Sequence, residues 1–342
     1  MFSFLKTKEI MDKKLEINDQ LSLMLSTSGS TGSIKFVRLS EANLKSNSSA
    51  IAKYLKLKNT DTAITTMPMS YTYGLSIISS HLSIGAKVVA TNKTILDRDF
   101  WNLISEYNVT SISGVPYFYE ILIKTGFLKR KIPSLRYITQ AGGKLDKIYK
   151  LKLLSFCEFN KISFFVMYGQ TEATARMSYV PPKMLKEKID SIGIPIDKGK
   201  FHLKDSGEIV FEGPNVSMGY AQNSKDLIKG DDNNGLLHTG DIGYQDKDGY
   251  YFITGRSKRF VKIYGLRISL DEIESILEIN FPDNEFLCID NNNKIKIQYT
   301  NELDEKKLII FIAKKLKLNN KAFKVAKIIA IPRNKSGKKV YI

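Results

Sequence analysis

A run of small hydroxyl residues and glycines ending in a lysine, STSGSTGSIK (26–35), follows the apolar segment LSLML (21–25) directly. Glycines let the backbone curl and present N–H groups, and serine and threonine hydroxyls add further donors, so Ser28, Gly29, Ser30, Thr31, Gly32 and Lys35 have the chemistry of a phosphate cradle. The spacing is not that of a Walker loop: Gly29 and Gly32 are three apart and Phe36 follows Lys35. A flexible linker is the ordinary alternative. A second segment, FFVMYGQTEAT (164–174), ends an apolar run with Tyr168 and Gly169 and then presents Gln170, Thr171 and Glu172. The aromatic ring can stack on a base, the hydroxyl can meet a phosphate, and the carboxylate can hold a hard cation such as Mg²⁺. In a third segment Asp241 lies in a Thr-Gly-Asp turn, where it can accept from two ribose hydroxyls, and Arg256 is a permanent cation suited to phosphate or ribose. The fourth, IPRNKSGKKVYI (331–342), carries Lys338 on a tail able to reach a site and leave it. Each has a plain structural explanation when taken alone.

These segments need elements to position them. From residue 21 to about 170, strand-like runs alternate with helix-period segments. Strands are expected at 21–25, 63–67, 87–90, 110–113, 135–139 and 162–168. Helices are expected from Ser40 (as cap) to about Leu55, from Gly74, over about 97–107, from Pro116 and from about Leu145. Such alternation predicts an α/β fold with a parallel-rich sheet flanked by helices, in which ligands bind beyond the carboxyl ends of the strands. From about 190 to 255 short strands separated by Gly, Asp and Asn turns predict a small antiparallel, barrel-like unit. The remainder reads as a separate small α+β unit: a strand-like KIYGLRIS, a helix over DEIESILEI, a strand KIKIQYT, a helix over DEKKLIIFIAKKL and a last strand FKVAKIIAI.

With 342 residues, 43% hydrophobic and 25% charged, the chain has globular composition and room for one to three domains. Two cysteines cannot build a disulfide framework, which favours a reducing compartment. Three scattered histidines spell no zinc cluster. No apolar run approaches the roughly 18 residues of a membrane helix, and the N-terminal MFSFL turns charged too soon for a signal-peptide core. A cytoplasmic location is expected. The formal net charge of +17 suits an acidic partner. No basic motif interleaved with aromatics supports a nucleic-acid partner.

Taken in order, the motifs are identified as those of the adenylate-forming enzymes: acyl-CoA synthetases, adenylation domains of peptide synthetases, and luciferases. STSGSTGSIK resembles that family's phosphate loop, PMSYTYG (68–74) its acyl-pocket segment and AGGKL (141–145) its adenine-side glycine pair. YGQTE, HTGD, GRSKRFVKIYGLRI, DEIE and PRNKSGK follow in family order, and the resemblance spans about residues 21–342. It implies ATP and Mg²⁺ as cofactors, with Ser28, Gly29, Ser30, Thr31, Gly32 and Lys35 around the β,γ-phosphates. Gly142, Gly143, Lys144, Tyr168 and Gly169 would border the adenine, and Asp241 and Arg256 would hold the ribose. Thr171 would meet the α-phosphate, Glu172 would bind Mg²⁺, and Lys338 would bridge the acid's carboxylate and the α-phosphate. Tyr71, Tyr73, Gly74 and Gln170 would line the acid, Lys258 would be the hinge and Gly265 would line the pantetheine channel. The implied division is a large ATP- and acyl-binding domain over 1–257 (α/β part about 21–189, β-rich part about 190–257) and a mobile C-terminal lid over 258–342.

The implied reaction is activation of a carboxylic acid as acyl-AMP, then transfer to a phosphopantetheine thiol on CoA or on a carrier protein. The positive balance favours an acidic acyl carrier protein over free CoA, and the tyrosine-rich pocket segment favours a small or polar acid. Adenylation with a non-thiol acceptor, and a non-catalytic nucleotide or acyl-adenylate binder, are the competing readings. The chain departs from the family in Ile34 and Phe36 (usually Pro and Gly), in Tyr71 (often His) and in Lys258 (often Asp). Family members also usually carry a further subdomain before the phosphate loop, which here begins near residue 27. The expectation is that a second copy of the chain covers the surface so left.

Overall fold

The structure, a computed structural model, describes residues 16–27, 35–264, 266–291, 294–333 and 339–341. Its first two strands, β1 (Leu21–Thr27) and β2 (Lys35–Ser40), pair antiparallel, with Leu25 opposite Val37. This corrects the placement of LSLML as the first strand of the parallel sheet. The strand β2 was invisible in the sequence because its middle residue is a charged one, Arg38, which is fully buried.

Helix α1 (Glu41–Leu55) then starts at Ser40 as expected. Ser40 Oγ accepts from the Asn43 N–H, and Asn43 Oδ1 accepts from the Ser40 N–H, a reciprocal cap that satisfies two otherwise orphaned donors. There follow β3 (Thr62–Ile64), α2 (Thr72–Leu82), β4 (Lys87–Val89), α3 (Arg98–Glu106), β5 (Ser111–Gly114), α4 (Pro116–Lys124), β6 (Tyr137–Gln140), α5 (Lys147–Asn160) and β7 (Ser163–Tyr168). Pro116 opens α4 at the position where its missing N–H costs nothing. Asp146 caps α5 by accepting from the Ile148 N–H. Helix α2 begins two residues before the Gly74 expected from the sequence.

The main sheet has the order β4-β3-β5-β6-β7, all parallel, and is extended antiparallel by β8 (Ser178–Val180) and β9 (Ile194–Pro195). The α/β class is therefore as read, with a mixed rather than wholly parallel sheet. Buried apolar clusters lie on both of its faces, one around Phe100, Ile112, Leu122, Phe127 and Phe164, the other around Ile51, Tyr73, Phe165 and Met167. Two-sided burial is why these strands read as apolar runs and not as alternating patterns.

The strands β10 (Lys200–Leu203), β11 (Glu208–Glu212), β13 (Leu236–Gln245) and β14 (Tyr251–Arg256) form an antiparallel sheet in the order β10-β11-β13-β14. Its end strands do not pair with each other, so the expected barrel-like unit is an open sheet. The short β12 (Tyr220–Ala221) returns to pair with β2.

After β14 come the hairpin β15 (Phe260–Ile263) and β16 (Leu266–Ser269), α6 (Leu270–Asn280), β17 (Phe286–Asp290), β18 (Ile295–Tyr299), α7 (Glu305–Leu316) and β19 (Phe323–Lys327). They pack around a core of their own that includes Ile273, Leu277, Phe286, Ile297 and Leu308. Among the described residues no helix is long and apolar enough to cross a membrane.

Candidate active site

The parallel strands end on one edge of the sheet, and the chain beyond β6 and β7 supplies most of the residues singled out from the sequence. After β6 the chain turns through Gly142 at φ +83°, a left-handed conformation that side chains rarely adopt. A β-carbon there would also lie 2.6 Å from the Tyr71 hydroxyl. The Gln140 side chain donates to the Gly143 carbonyl across the turn (2.8 Å), and Gly143 and Lys144 are exposed beyond it.

Beyond β7, Gly169 lets the following turn approach: a β-carbon on it would stand 1.8 Å from the Ala175 carbonyl oxygen. No side-chain rotation can relieve a clash between backbone groups. We expect Gly169→Ala to destabilise the protein by about 3 kcal/mol or more, read as a fall of several degrees in Tm. A Tm equal to that of the parent would contradict this packing.

Two carboxylates converge on the end of β7. Asp241, 2% exposed, comes from β13. Its Oδ2 accepts from the Tyr168 hydroxyl and from Gln170 Nε2 (3.0 Å), and its Oδ1 accepts from Arg256 Nε (2.9 Å). Gln170 also donates to the Thr239 carbonyl, 3.0 Å away. Burial and the adjacent Asp241 charge push the Tyr168 phenol well above its usual range, so it remains a proton donor at neutral pH. The Asp241 charge holds Arg256 above its own range. Arg256 nevertheless keeps 61% of its side chain in solvent, so its guanidinium can meet a ligand.

Glu172, the second carboxylate, accepts at Oε1 from the Tyr220 hydroxyl (2.8 Å). The Lys35 ammonium stands 5.8 Å from the centroid of the Tyr220 ring. The end of the hydroxyl–glycine loop and Glu172 are thus brought together through Tyr220, a residue the sequence reading missed. It lies 48 residues from Glu172 with no motif to link them. Burial first, then the Glu172 charge, raise the Tyr220 phenol, which keeps it a donor to Glu172. Thr171 Oγ1 lies 2.7 Å from Thr72 Oγ1 at the start of α2, so the acyl-pocket segment and the YGQTE segment meet directly.

Tyr73, expected on the wall of the acid's pocket, is 2% exposed, with its hydroxyl bonded to the Thr139 carbonyl (2.9 Å) and to Thr139 Oγ1 (2.8 Å). The first turn of α2 carries Tyr71 and Tyr73 to different depths. Tyr71 stays partly exposed beside Gly142 while Tyr73 packs behind it in the core. Gly74 is buried against the Pro68 carbonyl. Gln170, expected against the acid, is engaged with Asp241. Ser28, Gly29, Ser30, Thr31, Gly32, Gly265, Lys338 and the Lys258 side chain lie outside the described residues.

Mg²⁺ makes modest demands on a protein when it arrives with a polyphosphate: one or two carboxylates, the rest of the shell being phosphate oxygens and water. Among the described residues no group of three or more His, Cys, Asp or Glu could hold a metal unaided. Glu172, with one oxygen taken by Tyr220, fits the single-carboxylate arrangement and not a dedicated protein cage.

A parallel-rich sheet with polar loops at the carboxyl ends of its strands defines the class of α/β protein that binds its ligands at that edge. Residues 5–221 match the family described as AMP-binding enzyme, and the chain belongs to that family. It is 31% identical to the oxalate–CoA ligase of Arabidopsis thaliana over 279 residues, which is 78% of this chain and 53% of that protein. It is 28% identical to a 2-succinylbenzoate–CoA ligase of Bacillus cereus over 292 residues, 81% of this chain and 59% of that protein. The chain thus spans less than two thirds of the length of these relatives. In fold it is similar to the o-succinylbenzoate coenzyme A synthetase of Bacillus subtilis solved with ATP and a magnesium ion, with a TM-score of 0.78 at 24% identity. That likeness covers 97% of this chain and 73% of the other.

Proposed function

We propose that this protein activates a small carboxylic acid with ATP, forming acyl-AMP and pyrophosphate, and then passes the acyl group to a phosphopantetheine thiol. The observation that carries this reading is the convergence of Asp241 and Glu172 on the end of β7, one bound to Tyr168, Gln170 and Arg256, the other bound to Tyr220, over whose ring Lys35 stands. In the first half-reaction a carboxylate oxygen bonds to the α-phosphorus and the bond to pyrophosphate breaks. Nucleophile and electrophile are both anionic, so positive charge must be in place before they meet.

Asp241 accepts the ribose hydroxyls and Arg256 lies beside it. Thr171 donates to the α-phosphate, and Lys35 and the loop before it neutralise the departing phosphates. Glu172 would hold Mg²⁺, which would supply Lewis-acid charge at the phosphates. Lys338 bridges the acid and the α-phosphate. In this reading residues 1–257 bind ATP and acid, and residues 258–342 form a lid turning at Lys258. That rotation replaces Lys338 by the thiol channel at Gly265, a gating step and not a chemical one.

Relatives named as CoA ligases support a thiol acceptor, and the +17 net charge supports an acidic carrier protein as the bearer of that thiol. The two cysteines, Cys157 and Cys288, are free and buried, which suits the cytoplasm. Met24 and Phe36, 40% and 39% exposed on the β1–β2 hairpin, support a second copy of the chain as a partner on that face. Acid-dependent ATP–pyrophosphate exchange tests the reaction. We expect exchange with a small acid to fall roughly 10²–10³-fold in Lys338→Ala, as for loss of one preorganised transition-state charge. Exchange that is undiminished in that variant, or absent with every acid at saturating Mg-ATP, overturns the reading.

A further inference from the structure

The turn after Thr171 carries a feature that the proposed adenylation does not use. Thr174 and Ala175 hold φ of 53° and 98°. Residues other than glycine adopt such angles only where their surroundings over-determine them. Here Thr174 Oγ1 donates to the Asn215 carbonyl (2.7 Å), and Asn215 Nδ2 donates to the carbonyls of Ala173 (2.8 Å) and Arg176 (2.9 Å). Asn47 Nδ2 donates to the Arg176 carbonyl as well, at 2.9 Å.

The result is that Arg176 points inward, 3% exposed. Its guanidinium carbon lies 3.9 Å from the centroid of the Tyr73 ring, and Nη1 donates to the Ala175 carbonyl at 3.3 Å. Among the described residues its Nε has no hydrogen-bond partner. No carboxylate among the described residues pairs with Arg176, whereas the other deeply buried arginines do have such partners, Arg38 one and Arg259 two. A guanidinium does not give up its proton in a protein. Burial pushes the phenols of Tyr54, Tyr71 and Tyr73 up despite the opposing pull of Arg176, so none of the three supplies the missing negative charge at neutral pH. Cation–π contact, one carbonyl and the neutral Tyr54 hydroxyl offset only part of the cost of burying an ion.

The guanidinium lines a cavity of ≈ 10 Å³ whose polar wall includes Tyr73, Ser113, Thr139 and His81. That is room for about one oxygen atom. Tyr71 separates it from the Gly142 turn: its ring meets Tyr73 edge-on at 6.4 Å between centroids, and its hydroxyl lies beside Gly142. Gly142, Tyr71, Tyr73 and Arg176 therefore lead in sequence from the site to a buried positive charge.

We propose that Arg176 receives a second anionic group of the acid, so that the acid activated here is a short dicarboxylate, with one carboxylate at Thr171 and an oxygen of the other in the cavity beside Arg176. This rests on the adenylation reading and narrows it to a substrate class. The test is ATP–pyrophosphate exchange with oxalate, malonate, succinate and glutarate against acetate, propionate, butyrate and valerate. The best dicarboxylate is expected to exceed its chain-matched monocarboxylate in kcat/KM by roughly 100-fold, the value of one charge-assisted hydrogen bond to a buried group. Arg176→Gln should bring that ratio close to one, and Arg176→Lys, which keeps the charge, should retain much of it.

A parent protein that prefers the monocarboxylates, or a ratio unchanged in Arg176→Gln, overturns the proposal while leaving adenylation intact. If Arg176→Gln does not fold, the parent's ratio and that of Arg176→Lys decide. Exchange absent with every acid defeats adenylation instead, and calorimetry with succinate then tests Arg176 directly. Binding at least tenfold weaker in the variant supports the anion site, and equal or undetectable binding overturns it.

Discussion

Asp241→Asn should raise the KM for ATP by about 10–100-fold while changing kcat little. The Asp241 carboxylate is the common acceptor for Tyr168, Gln170 and Arg256. An amide has nearly the same shape, but it turns one acceptor oxygen into a donor that must face either a phenol and an amide or a guanidinium. Ionisation of Tyr168 is still opposed by its burial, although the Asp241 charge that also raised it is gone and Arg256 pulls the other way. A ribose held at Asp241 is held equally before and during reaction at the α-phosphorus, so its loss is a loss of uniform binding and falls on KM. Hydrogen bonds to charged groups contribute about 1.5–3 kcal/mol, which converts to the range stated. Initial-rate exchange at varied ATP reads the effect, with Tm as a control for folding. An unchanged KM for ATP would show that the ribose does not lie at Asp241.

Arg38→Met should lower the free energy of unfolding by about 3 kcal/mol. Arg38 has no exposed surface, and its guanidinium donates to the carbonyls of Met218 (2.7 Å), Tyr220 (3.2 Å) and Lys229 and to Asp232 Oδ2 (2.6 Å). Methionine approximates the length of the aliphatic stem but leaves those acceptors in place without their donor, at about 1 kcal/mol for each lost bond. Asp232 is half exposed and can return to water, so the carbonyls account for most of the effect. Urea unfolding followed by the fluorescence of Trp101 measures it, the expected signature being a lower midpoint with an unchanged slope. The same bonds tie β12 to β2, and β12 carries the Tyr220 that reaches Glu172. Catalytic loss should therefore accompany the loss of stability. A midpoint within error of the parent would mean that the cluster is replaceable by apolar packing.

The residues proposed to carry chemistry, and the signals that start several elements, could be singled out in the sequence from their immediate neighbours. Ser40 was readable as a helix cap because its partner lies three residues on, and Pro116 as a helix start because its ring permits little else. Tyr168, Glu172, Asp241 and Arg256 stood out because glycine turns deliver them after strand-like runs. All of these signals are local in the chain.

What the sequence did not disclose is long-range. LSLML has the composition of a strand, but composition does not name a partner, and it pairs with β2 and not with the parallel sheet. Tyr71 and Tyr73 are two residues apart and identical in type. Only the packing of α2 decides that one borders the site and the other supports Arg176 from the core. Arg176 itself reads as one more cation in a chain with 52 Lys and Arg. Its meaning comes from two asparagines far away in sequence that fix the turn before it, and from the absence of a carboxylate within its reach among the described residues. Local propensity and motif spacing determined the elements and the kind of chemistry, because turns, caps and strand ends are set by neighbours in the chain. Burial, pairing and the placement of uncompensated charge were decided by tertiary structure, because desolvation depends on everything that packs around a group.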